Sequence, residues 1–175
     1  VLFLSGLILL QGQTPFYRQQ RVGRGGRLFT IWKMQTMVNN ADAKLQEYLS
    51  SDAGARDEWT RTQKLKDDPR ITRVGRILRK TSLDELPQLF NVLRGDMSLV
   101  GPRPMMMSQR DLYPGSAYYN HRPGITGFWQ VSDRNECEFS SRAKFAADYD
   151  AQVSLKTDIG LLFRTVGVVL RGTGY

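Results

Sequence analysis

Apolar residues in this chain recur at helical spacing in several separate stretches and only one stretch reads as paired strands, which points to a mostly helical body with little sheet. That stretch is Phe16 to Val22 followed by Leu28 to Met34, two strands joined by Gly23-Arg24-Gly25-Gly26 as a hairpin. That turn has neither a Gly-x-Gly-x-x-Gly pattern nor a Gly-Lys-Ser/Thr ending, so its glycines read as turn chemistry rather than a phosphate loop. Lys33 stands between Trp32 and Met34 in the second strand, where a long cation either reaches out to water or serves an anionic ligand. Residues 38–66 are polar, with helical spacing around Leu45, Tyr48 and Leu49 and a break at Gly54, and read as an exposed helical insertion. Arg70 to Arg79 sets Ile71, Val74, Ile77 and Leu78 against Arg73, Arg76 and Lys80, an amphipathic basic helix. A second helix begins near Ser82, whose spacing to Glu85 fits a capping box, and stops near Gly95. Phe128 to Val131 reads as a short strand, and Ser154 to Arg171 as an amphipathic helix suited equally to a membrane interface or to the core. The expected fold is α+β: one compact, helix-rich domain with a small N-terminal β-hairpin, for which 175 residues with 41% hydrophobic content suffice.

A single cysteine, Cys137, and a single histidine, His121, exclude a disulfide framework, a structural zinc site and a His-rich metal cluster. Chemistry must come from carboxylates, hydroxyls and cations. The net charge of +8 fits partners that are anionic, whether phosphates, an acidic membrane or nucleic acid. No zinc-finger, helix-turn-helix or RNP pattern accompanies it, so a basic nucleic-acid or anionic-surface module is the rival reading and not the leading one. Val1 to Leu10 is nearly all apolar, but ten residues fall short of the roughly 20 that cross a bilayer. The run reads either as a buried helix or as half of a membrane segment, and Arg18, Arg21, Arg24 and Arg27 after it fit the cytoplasmic side. A chain that begins at Val1 is expected to have been cut from a longer one.

Asp84 and Glu85 carry the most chemistry. As neighbours on a helix they point about 100° apart, so they cannot face each other as a glycosidase pair. Their bland role is to favour a helix start through the macrodipole; the alternative is one carboxylate as nucleophile and the other as metal ligand or base on a shared ligand. A carboxylate attacking a phosphate needs cations on the phosphoryl oxygens. Arg79 and Lys80 precede the pair, and Arg103, Arg122 and Arg134 sit in or beside loops stiffened by proline, so arginine forks are at hand for a diphosphate. Mg²⁺, which prefers one or two carboxylates plus phosphate oxygens, would complete such a site.

Five runs taken together go further: Phe16 to Gly23, Asp68 to Gly75, Leu83-Asp84-Glu85-Leu86-Pro87-Gln88, Gly101-Pro102-Arg103-Pro104 and Arg122 to Gly127. In their order and spacing the chain resembles the bacterial sugar transferase family, the small monotopic phosphoglycosyl transferases, with residues 15–37 and 68–135 carrying the likeness. The resemblance implies transfer of a sugar 1-phosphate from a UDP-sugar to a polyprenyl phosphate at the cytoplasmic face of the inner membrane, with UMP released, as the first membrane step of glycan or exopolysaccharide assembly. It implies Asp84 as the nucleophile of a covalent phospho-sugar intermediate and Glu85 as Mg²⁺ ligand or helper of the acceptor phosphate. Arg79, Arg103 and Arg134 match positions expected to contact phosphates, and Lys33 and Arg122 lie in family motifs. It also implies that residues 1–12 are the C-terminal part of a membrane-dipping helix, truncated here, and residues 13–175 the catalytic domain with 38–66 inserted. Membrane lipids would then be a partner and nucleic acid would not. A soluble nucleotide-sugar hydrolase is a second rival, since it would release UMP without a lipid acceptor. Neither the sugar nor the oligomeric state is legible in the sequence.

Overall fold

The paired-strand stretch closes as an antiparallel hairpin, β1 (Phe16–Val22) against β2 (Leu28–Met34), in the computed structural model, which describes residues 1–132 and 138–172. Gly25 and Gly26 take φ of +64° and +78° in the connection, a conformation that side chains resist, which is why glycines stand there. Register sets Tyr17 opposite Lys33, Gln19 opposite Ile31 and Arg21 opposite Phe29, so these alternate residues share one face of the ribbon. β4 (Met105–Met106) adds to β1 and completes a sheet ordered β2-β1-β4. β3 (Ser98–Val100) and β5 (Gly124–Thr126) form a separate parallel pair.

Seven helices surround this frame among the described residues: α1 (Leu2–Leu9), α2 (Ala41–Ser51), α3 (Ala53–Thr62), α4 (Arg73–Lys80), α5 (Gln88–Leu93), α6 (Arg142–Gln152) and α7 (Leu155–Arg171). The core comes in parcels. Ile8 of α1 meets Met34 and Leu78, while Phe29 and Ile31 meet Met97. Val22, Met105, Tyr118 and Ala146 form another parcel, in which Tyr118 takes a hydrogen bond from the Met105 amide at 3.1 Å and gives one to the Val22 carbonyl. The outer edge of β2 meets a side chain: buried Asn91 accepts from the Trp32 amide at 3.1 Å and donates to the Thr30 carbonyl at 2.7 Å.

Four local expectations give way. The insertion breaks at Asp52, not Gly54, because the Asp52 carboxylate accepts the Ala55 amide and starts α3, leaving Gly54 inside the helix. Nor is the insertion simply exposed, since Leu45, Ala55 and Leu65 are buried against one another. No capping box forms at Ser82, which sits at φ +56° without a side-chain cap, because the Glu85 carboxylate is drawn away to Lys33 at 2.8 Å. Residues 128–131 form a turn rather than a strand, the strand being Gly124–Thr126 just before them. The amphipathic C-terminal helix is α7, which buries Leu161 against Val100 and Tyr149 and leaves Leu155, Phe163, Val166 and Leu170 exposed. No described helix is long and apolar enough to cross a membrane.

Candidate active site

Residues of β1, β2, the α2–α3 insertion, α4 and the loops before β4 and α6 surround one open cavity of about 1150 Å³. The hairpin's period of two delivers Tyr17, Gln19, Arg21 and Lys33 to its wall. Asp84 and Glu85 sit in a single 3-10 turn, Leu83–Glu85, pinned by Leu83 in the parcel with Met34 and Leu78 and followed at once by Pro87 and α5. Both carboxylates line the cavity. Their surroundings differ. Glu85 is clamped by cations, with Lys33 Nζ at 2.8 Å and Arg103 Nη1 at 3.5 Å from Oε1. Asp84 is only 7% exposed, and burial pushes its carboxyl above the usual range, a shift that Lys33 opposes, that the charge of Glu85 reinforces and that Arg79 and Arg103 resist. Burial likewise lowers the Lys33 ammonium, against the pull of Glu85, and lowers the Arg79 guanidinium, against the pull of Asp84. Arg79 is aimed by its Nε–H, which donates to Thr36 Oγ1 at 2.9 Å. A crowded carboxylate with its charge balanced by cations on several sides can approach an anionic phosphoryl group that would otherwise repel it.

Five of the residues singled out in the sequence thus share the cavity: Lys33, Arg79, Asp84, Glu85 and Arg103. Arg122 does not. Its side chain is exposed, because the His121–Gly124 loop turns its backbone inward, where the Arg122 carbonyl presses on Gly101, and buries Pro123 instead. Arg134 lies outside the described residues. Sequence reasoning passed over Arg21, Thr36, Trp129 and Arg142, all of which line the cavity. Arg21 was legible: counting by twos across the hairpin register puts it on the same face as Lys33. Arg142 left a fainter signal as a cation on the first residue of a helix, where the macrodipole disfavours one.

Asp68 and Arg70 were also hidden inside a motif. Arg70 grips the Asp68 carboxylate with Nη2 at 2.6 Å and Nε at 2.8 Å, and stacks 5.3 Å from the Trp59 ring centre, tying the insertion to the base of α4. Burial works to raise the Asp68 carboxyl, but the hydrogen bonds from Arg70 outweigh it and leave it lowered. Its contribution to stability is therefore full above the unfolded value of about 3.9 and is lost as pH falls through the lower folded value. Asp68→Asn should cost about 3–5 kcal/mol at pH 7 in urea denaturation and should flatten the fall of the melting midpoint below about pH 4. An unchanged acid limb in the variant would contradict this role.

The family profile described as bacterial sugar transferase matches residues 1–172. The chain belongs to the bacterial sugar transferase family. Its relatives in that family include the UDP-galactose-lipid carrier transferase of Erwinia amylovora, 48% identical over 99% of this chain and 38% of the relative. The undecaprenyl-phosphate galactose phosphotransferase of Salmonella typhimurium is 48% identical over 99% of this chain and 37% of its own length. The exopolysaccharide production protein ExoY of Sinorhizobium fredii is 44% identical over 99% of this chain and 78% of its own. The chain thus spans less than two fifths of the length of the first two of these sugar transferase relatives.

Proposed function

We propose that this chain carries the catalytic site for transfer of a sugar 1-phosphate from a UDP-sugar to undecaprenyl phosphate. The observation that carries the reading is buried Asp84, set in a large cavity beside Lys33, Arg79 and Arg103. The names of the relatives supply the acceptor class, one being an undecaprenyl-phosphate phosphotransferase, and a UDP-galactose-lipid carrier transferase supplies the donor class. In the first half-reaction an Asp84 carboxylate oxygen attacks the phosphorus that bears the sugar. A bond to that phosphorus forms, the bond to the bridging oxygen breaks, and UMP leaves with the electron pair. In the second, a phosphate oxygen of the acceptor attacks the same phosphorus and Asp84 departs as carboxylate. Arg79 and Arg103 spread the charge that builds on the phosphoryl oxygens, and Lys33 holds Glu85 in place by the 2.8 Å contact.

Mg²⁺ fits this reading as a shared ion. Among the described residues no group of three or more His, Cys, Asp or Glu could hold a metal, so Glu85 would supply a hard oxygen and the donor's phosphates the rest. When bound there it would neutralise phosphate charge. Membrane association at the cytoplasmic face belongs to the same proposal: Leu2, Phe3 and Leu10 near α1, Phe90 and Leu93 on α5, and Phe163 and Leu170 on α7 are exposed apolar side chains of the kind that enter a lipid interface. The basic nucleic-acid module is disfavoured, because the central cations face into a cavity beside carboxylates instead of tracking an open surface. The test is a half-reaction. Protein mixed with UDP-hexoses in the absence of lipid should gain the mass of a hexose phosphate and release about one UMP per chain, and adding polyprenyl phosphate should discharge it. Multiple turnovers of UMP without lipid would mean a hydrolase instead.

A further inference from the structure

Arg21 and Arg142 take no part in the transfer just described, yet they are placed with care. Arg21 lies on the cavity face of β1, and Arg142 opens α6 against the helix macrodipole. The Nε atoms of both are buried without a hydrogen-bond partner. Among the described residues neither guanidinium has a carboxylate within ion-pair distance. Burial, then the charge of Arg103, then that of Arg21 push Arg142 down to about 9. Burial and then Arg103 lower Arg21 to about 10. Arg142 and Arg103 both approach the buried Trp129 ring, at 4.4 Å and 5.1 Å from its centre. Three like charges gathered at a partly buried cavity wall, with Glu85 alone among the described residues paired to one of them, cost stability, and folds keep such clusters where a ligand brings the missing charge. Arg103 reaches Glu85 with one nitrogen and approaches Trp129, so it stands between the carboxylates and this pair.

We infer that Arg21 and Arg142 form a second anion seat, which takes the nucleotide-side phosphate of the donor, the group that leaves as UMP. The sugar-bearing phosphate then lies at the Asp84 end and Arg103 between the two. The identity of the anion rests on the transfer reading above; the seat rests on the geometry alone. Bidentate guanidinium forks suit the paired oxygens of a phosphate whose charge rises from one to two as UMP leaves, and the lone charge of a lysine is a poorer match.

The test titrates the full chain with UMP and, separately, with inorganic pyrophosphate, in calorimetry and in thermal melts. Arg21→Gln and Arg142→Gln should each weaken both anions by roughly tenfold to a hundredfold and shrink the ligand-induced rise in melting midpoint. Arg21→Lys and Arg142→Lys keep the stem and the charge; they should fold, and should recover only part of the affinity. Folded variants that bind both anions as the parent chain does, or a parent chain that binds neither at millimolar concentration, overturn the seat. If the parent chain binds both anions through these arginines but forms no phospho-sugar adduct, the seat stands and the transfer reading falls. If it forms the adduct and the variants bind UMP undiminished, the transfer reading stands and the seat falls.

Discussion

Asp84→Asn should lower sugar-phosphate transfer on the order of 10⁴-fold or more, and should remove any covalent adduct, while leaving the protein as stable as before or more so. The amide has nearly the shape of the carboxylate but no charge with which to attack phosphorus. The direction of the stability effect follows from burial. The folded Asp84 carboxyl holds its proton to a higher pH than the unfolded one, at about 3.9, so stability falls as pH rises from there through the raised folded value. Asparagine carries no such burden, and a gain of about 1 kcal/mol at pH 7 is expected. The same shift should give the transfer rate of the parent chain an acid limb above the ordinary aspartate range, because in the proposed reaction only the ionised form attacks. Rates from UMP release, together with urea denaturation, decide the matter. A variant that keeps a tenth of the parent rate would remove Asp84 from the reacting atoms.

Gly124→Ala should damage the fold severely. A Cβ there would stand 2.1 Å from the Gly101 amide nitrogen and 2.4 Å from the Thr126 carbonyl oxygen, and backbone cannot move aside as a flexible side chain can. Gly101 and Gly127 are packed in the same way against the Arg122 and Gly101 carbonyls, so β3, β5 and their flanking loops meet backbone to backbone. The hydrogen bonds from the Gly124 amide to Pro102 O at 2.8 Å and from the Gly101 amide to Thr126 O at 2.9 Å depend on that approach. A loss above about 3 kcal/mol is expected, and with it much of the activity, because Arg103 hangs from this junction. Gly160→Ala is the control: it lies in α7 with nothing within 4 Å of a Cβ, and should stabilise by about 0.5–1 kcal/mol. Similar melting midpoints for the two variants would refute the packing argument.

The hairpin was legible because aromatic and β-branched residues and turn glycines act locally, and both strands end where the glycine-rich turn begins or the apolar run stops. The amphipathic helices at α4 and α7 were legible for the same reason. What eluded the sequence depended on partners far along the chain. Ser82 and Glu85 have the spacing of a capping box, but Lys33, 52 positions away, claims the glutamate. Phe128 to Val131 has strand composition, yet Trp129 turns inward to meet Arg103 and Arg142. Of the candidate cations, Lys33, Arg79 and Arg103 meet around the two carboxylates, while Arg122, chosen for its stiff loop, points to solvent. A rigid loop aims something, and here it aims a carbonyl and a proline ring. Arg142 was out of reach of any local rule except its awkward position at a helix start.

Asn91 has a consequence for how copies of this protein meet. By satisfying the Trp32 amide and the Thr30 carbonyl, its carboxamide mimics two bonds of a neighbouring strand along β2. A border blocked in this way at its middle is a poor template for strand addition, so the three-stranded sheet ends there rather than growing from molecule to molecule.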